Sequence, residues 1–207
     1  MQGLIKNFNS KRFLLIYLLI VAVLLGFMLQ AQQPPVDHRI LPEQLKPYLL
    51  SPPAELPSIL LRRDDGYALT ADWFNDKWSF VYFSHQQCAP DCLAVFSVLE
   101  NLAARIADRD VQILLVRIHD LEQSLLLPEP LVQSSTEAIA DPVLLASLGK
   151  TFDFWFFEDA SGQVHQHHSL YVVDPNGRVY ARMNPPFTSL AVHRLFNEVR
   201  RFYAVSE

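Results

Sequence analysis

The chain has 207 residues, 50% of them hydrophobic, and a formal net charge of −5 at pH 7. This length suits one domain with an appendage. The negative charge and the lack of a basic stripe exclude the nucleic-acid-binding classes. Glycine-rich phosphate loops and nucleophile-elbow motifs are also absent. The chain has two cysteines, Cys88 and Cys92, so any cysteine chemistry belongs to this pair.

The N-terminal region predicts export. Residues 13–29 form an uncharged apolar run, at the short end of what crosses a bilayer core of about 30 Å. Basic residues precede it: Lys6, Lys11 and Arg12. The positive-inside tendency therefore leaves residues 1–12 in the cytoplasm, makes residues 13–30 a single transmembrane anchor in the inner cell membrane, and places the rest on the periplasmic side. The alternative is a cleaved signal peptide, but the run is longer than the usual apolar region of a signal peptide, and residues 29–31 are a weak match to an A-x-A cleavage site.

Two further segments follow. Residues 31–57 are rich in proline, which predicts an extended, semi-rigid tether. Residues 58–207 are then the folded domain. Its first part, residues 58–62 and 67–70, reads as a β-hairpin with Gly66 at the turn.

A buried strand, a turn and a helix follow in the domain. Residues 80–83 are an apolar run of β-forming residues, typical of a strand covered on both faces. Pro90 suits the first turn of a helix, and Asp91 suits the positive end of the helix dipole. A second apolar strand is predicted at residues 111–118. These elements form a βαβ unit with a right-handed crossover.

The spacing of Cys88 and Cys92 indicates redox or metal chemistry. A helix N-terminus lowers the pKa of a nearby thiol. If the turn is helical from Cys88 onward, the two Cβ atoms lie about 5–6 Å apart, and both sulfurs can reach one metal ion or each other. Two thiolates select soft metals such as Cu(I) and do not complete a four-thiolate zinc or iron–sulfur site. The alternative is a structural disulfide, but so short a loop adds little stability through chain entropy.

This strand, turn and helix resemble those of the Sco/SenC family of membrane-anchored, thioredoxin-fold copper proteins. The family has a C-x-x-x-C motif, and its pattern C-P-D-x-C-P stands here as C-A-P-D-C-L at residues 88–93. Residues 170–178, L-Y-V-V-D-P-N-G-R, also resemble the L-Y-L-V-D-P-x-G-R hairpin of the family, and N-P-P at 184–186 leads into a last helix. The resemblance covers, with gaps, about residue 58 to the C-terminus.

The resemblance implies an α/β, thioredoxin-like fold, with a central mixed sheet flanked by helices. It also implies a copper site of two thiolates, from Cys88 and Cys92, and one imidazole. The histidine of the family lies five residues before the hairpin tyrosine, which is Tyr171 here. That position is occupied by Gln166.

Three histidines surround Gln166: His165, His167 and His168. A one-residue bulge or gap before Ser169 would put one of them into the site. Imidazole is a good copper ligand. His168 is the first candidate, because His-Ser reproduces the context in the family, and His167 and His165 come next. His85 is a further candidate. The alternatives are ordinary surface or packed histidines and a degenerate site.

Aromatic residues crowd positions 152–157. Core packing accounts for most of them, and an exposed remainder would form a docking surface. A helix is predicted to begin at Asp141 and Pro142.

Three functions follow as hypotheses. The first is a copper metallochaperone that holds copper at Cys88, Cys92 and one histidine and delivers it to the binuclear copper site in a subunit of cytochrome c oxidase, with no enzymatic activity required. The second is a membrane-anchored thiol–disulfide reductase, in which Cys88 attacks a partner disulfide and Cys92 resolves the mixed disulfide, with a thioredoxin-like reductant as a further partner. The third is a docking module that uses the aromatic segment and neither thiol.

Overall fold

The computed structural model describes residues 10–31, 41–58, 61–63, 65–85, 88–105, 110–118 and 127–206. The predictions for residues 1–9 and 32–40, in the expected cytoplasmic N-terminus and tether, lie outside the described residues. The chain divides into two compact units, Met1–Ile40 and Leu41–Val205.

The first unit contains helix α1, Ser10–Ala31. Its apolar middle is exposed, as at Leu15, Leu19 and Leu24. Within the described ranges, we find no helix with the length and apolarity needed to cross a membrane. The transmembrane anchor expected at residues 13–30 is therefore not confirmed.

The second unit is a mixed α/β domain. Its strands are β1 (Leu49–Glu55), β2 (Leu61–Arg62), β3 (Ala68–Leu69), β4 (Trp78–Ser84), β5 (Val111–Arg117), β6 (Ser135–Ile139), β7 (Phe156–Glu158), β8 (Val164–Gln166), β9 (Leu170–Val173) and β10 (Arg178–Met183). Its helices are α2 (Asp91–Arg105), α3 (Glu129–Ser134), α4 (Pro142–Phe152) and α5 (Ser189–Ser206), with a short 3-10 helix at Ala71–Phe74. The described strands form one sheet in the order β1-β10-β9-β4-β5-β6-β2-β3 and a separate β7–β8 hairpin.

The predicted βαβ unit is at the centre of the sheet. Strands β4 and β5 pair in parallel, with Phe80 opposite Ile113, and helix α2 connects them. Strand β6 extends the parallel part, and β9 pairs with β4 in the antiparallel sense. The sequence predicted no element at residues 125–140, where the structure has α3 and β6.

Both faces of the central strand are covered. Phe80 and Tyr82 belong to the core cluster that includes α2 and α5, whereas Val81 and Phe83 belong to the cluster that includes α4. Successive side chains of a strand point to opposite faces. Ser84 therefore lies on the same face as Tyr82, towards the start of α2.

The region expected to be a tether is partly a strand. Strand β1 pairs with β10, with Ala54 opposite Val179, and Leu45 just before it is buried in the core. Residues 41–57 therefore differ from the expected extended, semi-rigid tether, because Leu49–Glu55 is a strand of the main sheet. Strand β1 lies at the edge of the sheet, and its register with β10 shifts between Leu49 and Ala54, so Pro52 and Pro53 lie at an irregularity of an edge strand, where prolines are tolerated.

The other local predictions agree with the structure. Strands β2 and β3 form the expected hairpin, and Gly66 in its turn has a φ of +83°. The carboxylate of Asp141 accepts a hydrogen bond of 2.8 Å from the Leu144 N–H and so caps α4. Residues 164–173 contain two strands, β8 in the small hairpin and β9 in the main sheet.

Candidate metal and thiol site

Cys88 and Cys92 are joined by a disulfide at the N-terminus of α2. Their Cα atoms are 5.4 Å apart, and the Cys92 N–H donates a 3.1 Å hydrogen bond to the Cys88 carbonyl. The helical turn thus begins at Cys88, as the spacing predicted. Cys88 is 7% exposed and Cys92 is 2% exposed. Both cysteines are thus buried, and Cys88 is the less buried of the two.

A buried hydroxyl lies beside this sulfur. Ser84 is fully buried at the end of β4, and its Oγ lies 3.5 Å from Sγ of Cys88. A hydroxyl donor stabilises a neighbouring thiolate, so Ser84 can support Cys88 after reduction. Sequence reasoning missed this residue. The strand alternation was the available signal, since it places Ser84 on the face towards α2.

His168 lies at the same helix start. Its Nδ1 is 2.7 Å from the hydroxyl oxygen of Tyr82, and its Nε2 is 4.0 Å from Oδ2 of Asp91. Asp91 is the residue directly before Cys92. The His168 side chain is 20% exposed. The structure therefore brings the first histidine candidate to the turn that carries the cysteines.

Burial controls the charge of His168. Desolvation lowers the pKa of this imidazole below its ordinary value of 6.5, the carboxylate of Asp91 partly opposes that shift, and His167 adds to it. Only a neutral imidazole has a lone pair for a metal ion. Burial of His168 therefore favours the neutral charge state that metal binding requires.

Gln166 occupies a buried position behind His168. Its Nε2 donates to the Phe83 carbonyl at 2.9 Å and to the Tyr82 hydroxyl at 3.3 Å. Strand β8 pairs regularly with β7, with Phe156 opposite Gln166. This regular pairing ends at Gln166, before the position next to Ser169 at which the sequence predicted a bulge or gap. His168 shares a side with Gln166 because the two residues are two positions apart in extended chain.

The other two histidines lie elsewhere. Nε2 of His165 is 3.0 Å from Oδ2 of Asp159, and the His165 ring stacks on Phe157 at 4.9 Å. The ring of His167 lies 4.3 Å from that of Trp155. These four rings occupy the exposed face of the β7–β8 hairpin. The structure does not bring His165 or His167 to the cysteines.

His85, the remaining candidate, is buried, and its carbonyl accepts a 3.3 Å hydrogen bond from the Cys88 N–H. Its backbone thus shapes the turn before the cysteine helix. Residues 86 and 87, between His85 and Cys88, lie outside the described residues.

An apolar groove opens beside His168. It has a volume of about 420 Å³. Its lining residues are Pro90, Asp91, Ala94, Val95, His168, Pro185, Pro186 and Phe187. The groove gives a partner molecule access to the imidazole and to the first turn of α2.

In the described part of the chain, no group of three or more histidine, cysteine, aspartate or glutamate side chains is arranged to hold a metal ion. At the cysteine site, the two sulfurs are bonded to each other, and a disulfide sulfur is not a thiolate ligand. Reduction of the bond would release two thiolates on one turn, with His168 nearby.

Comparison with known proteins supports the fold. No family model and no curated protein sequence matches the chain. Solved structures do match. Copper-bound ScoI from Arabidopsis thaliana is 16% identical, with a TM-score of 0.61, and the match covers 72% of this chain and 99% of that one.

Two further structures give the same result. Copper-bound Sco1 from yeast is 17% identical, with a TM-score of 0.59, over 72% of this chain and 90% of that one. BsSco, described as a Sco-family cytochrome c oxidase assembly protein with a disulfide switch, is 14% identical, with a TM-score of 0.57, over 72% and 94%. The domain therefore has the thioredoxin-like fold of the Sco/SenC proteins, as the cysteine motif and the 170–178 hairpin predicted.

Proposed function

We propose that the chain is a copper metallochaperone, and that its reduced form binds Cu(I) through Cys88, Cys92 and His168. The position of His168 supports this proposal most directly. Its Nε2 faces Asp91, the residue before Cys92, while its Nδ1 is within hydrogen-bond distance of the Tyr82 hydroxyl. A metal-bound histidine characteristically uses its second nitrogen for such a supporting hydrogen bond.

The ligand types agree with copper. Two thiolates and an imidazole are soft and borderline donors, which suit Cu(I). The buried, neutral imidazole adds no positive charge to the site. The solved structures with this fold from Arabidopsis thaliana and yeast hold copper.

We propose the copper-site subunit of cytochrome c oxidase as the recipient. BsSco, which shares the fold, is described as an oxidase assembly protein. Transfer requires only that thiolates of the recipient replace Cys88 and Cys92 one after the other on the metal, with no change in the oxidation state of copper. The groove beside His168 is open to such a segment.

Anaerobic titration of the reduced full-length chain with Cu(I), with X-ray absorption to count ligands, tests the proposal. We expect one tightly bound copper with two sulfur ligands and one nitrogen ligand. Binding without sulfur ligands, or no tight binding, contradicts it.

Thiol–disulfide exchange is the second candidate, and the Cys88–Cys92 disulfide itself favours it. In the reduced chain, the Cys88 thiolate would attack a partner disulfide and release one partner thiolate. The Cys92 thiolate would then attack Cys88, so the partner gains two electrons and the chain regains its disulfide. A thioredoxin-like dithiol would supply the two electrons for the next cycle.

The place where the chain acts stays a prediction. The basic residues Lys6, Lys11 and Arg12 predict a cytoplasmic N-terminus and a periplasmic domain. Protease added outside the inner membrane would then digest the domain and spare the N-terminus. Protection of the domain from the protease contradicts the exported location.

A further inference from the structure

The phenol of Tyr82 is buried between two polar side chains. Its hydroxyl oxygen lies 2.7 Å from Nδ1 of His168 and 3.3 Å from Nε2 of Gln166. Tyr82 is fully buried in β4, so its ring has no freedom to move away from either neighbour. The three side chains form one hydrogen-bonded network behind the candidate site.

The direction of each hydrogen bond follows from a count of donors. In the metal-free protein, the Gln166 amide nitrogen donates to the Phe83 carbonyl, and this bond sets the orientation of the amide. Its second N–H faces two acceptors, because Nε2 lies 3.3 Å from the Tyr82 oxygen and 3.3 Å from Nδ1 of His168. The Tyr82 proton is then free to be donated to Nδ1 of His168. A neutral His168 therefore carries its proton on Nε2.

We propose that Tyr82 is the positioning residue of His168: its hydroxyl holds Nδ1 and thereby makes Nε2 the nitrogen that faces the cysteine-bearing turn. The inference deepens the proposed copper function and rests on it for the metal, but the orientation of the ring concerns the metal-free protein as well. Without the hydroxyl, Nδ1 would keep only the longer contact of 3.3 Å with Gln166, so Nε2 would be directed less firmly to the cysteine-bearing turn.

Copper binding requires the network to reverse. Metal at Nε2 displaces the proton there, and the neutral imidazole then carries its proton on Nδ1, which donates to the Tyr82 oxygen. The Tyr82 proton now needs another acceptor. Oε1 of Gln166 is buried and has no hydrogen-bond partner within the described ranges. Rotation of the amide would bring Oε1 to the Tyr82 hydroxyl as the acceptor of its proton, and the hydrogen bond from Gln166 to the Phe83 carbonyl would then be lost.

Nitrogen-15 NMR of the metal-free, oxidised full-length chain tests the orientation, because long-range proton–nitrogen couplings distinguish the two neutral tautomers of histidine. We expect His168 to be protonated on Nε2 in the wild-type chain and to populate both tautomers in Tyr82→Phe. We also expect Tyr82→Phe to weaken Cu(I) binding by the reduced chain about 10–100-fold, the usual effect of removing a supporting residue of a metal ligand.

Tyr171→Phe is the matched control. Tyr171 is equally buried, but its ring packs on Phe83 and Phe152 and it is not a partner of His168. We expect this variant to keep the wild-type tautomer and copper affinity, and its thermal midpoint shows the effect of losing a buried hydroxyl.

Protonation of wild-type His168 on Nδ1, or equal effects of the two tyrosine variants, would overturn the role of Tyr82. An unchanged tautomer or unchanged copper affinity in Tyr82→Phe would do the same. Failure of the wild-type chain to bind copper would instead reject the proposed function, and the tautomer measurement would still decide the positioning role.

Discussion

Nε2 of His168 lies 4.0 Å from Oδ2 of Asp91, and this pair spans the space between the histidine segment and the first turn of the cysteine helix. Asp91 is largely exposed, whereas His168 is mostly buried. Burial lowers the pKa of His168 more than the carboxylate raises it. The pair therefore holds a neutral imidazole beside a negative charge.

The Asp91→Asn variant tests this balance. Removal of the carboxylate takes away the one group that raises the pKa of His168, so we expect that pKa to fall further. The change should be small and should vanish at high salt, because Asp91 is exposed and its charge is screened. NMR titration of the metal-free, oxidised chain measures it. Asp159→Asn is the control, since Asp159 contacts His165; a rise in the His168 pKa in Asp91→Asn would contradict the prediction.

The pH dependence of stability provides a second prediction. Because the pKa of His168 is lower in the folded chain than in the unfolded chain, protonation of His168 favours unfolding. The contribution of neutral His168 to stability is therefore complete above the pKa of the unfolded chain, about 6.5, and is lost as the pH falls through the pKa of the folded chain. We expect the wild-type chain to lose more stability than His168→Asn between about pH 7 and pH 5. Urea unfolding of the metal-free, oxidised proteins measures the difference. Equal losses would show that His168 does not contribute.

The cysteine variants separate binding from folding. We expect Cys88→Ser and Cys92→Ser each to lose nearly all tight Cu(I) binding, because one thiolate and one imidazole do not supply the same soft coordination. The five-residue ring closed by the disulfide contributes only about 2 kcal/mol through chain entropy, so both variants should remain folded. Copper titration and thermal unfolding check the two statements. Tight binding of one copper by both variants would place the site elsewhere.

The histidine variants separate the two candidate functions. We expect His168→Ala to weaken copper binding and oxidase assembly and to spare disulfide exchange, because exchange needs only the thiols. His167→Ala is the matched control, since that ring packs against Trp155 on the exposed face of the hairpin. Copper affinity, oxidase activity in cells and reduction of a model disulfide are the measurements. Oxidase loss in the cysteine variants alone would favour the reductase.

The aromatic segment allows a prediction about packing. Phe154 is buried and stacks on Phe83 at 4.3 Å, whereas Phe157 is 52% exposed. We expect Phe154→Ala to cost about 3–5 kcal/mol of unfolding free energy through a core cavity. Phe157→Ala should change it by about 0.5 kcal/mol or less, as surface substitutions do. Denaturant unfolding compares them, and similar losses would contradict the assignment of the two faces.

Local signals explain what the sequence could predict. The apolar run of β4, the two cysteines on the first turn of α2 and the Asp141 cap each depend on neighbours in the chain. The structure has each of them where it was expected. The aromatic segment was also interpreted correctly in general terms, with Phe152 and Phe154 in the core and Trp155 exposed.

Long-range pairing explains what the sequence could not predict. Strand β1 contains two prolines, and only its place at the sheet edge beside β10 permits them. Strand β6 is defined by its parallel pairing with β5, because its own composition does not predict a strand. In the sequence, Tyr82 is one residue of a buried strand. Its contact with His168, 86 positions away, exists only in the folded chain.

Residues 164–173 are divided between two sheets, and the length of the segment between β8 and β9 determines which histidine faces the cysteines. Counting back from Leu170, even steps reach His168 and Gln166 on the side of the cysteines, and odd steps reach Ser169, His167 and His165. A single deletion between His168 and Leu170 would exchange the two sets and present His167 in place of His168. Whether a histidine lies an even or an odd number of positions before Leu170, rather than the number of histidines, would then decide which one can become a ligand.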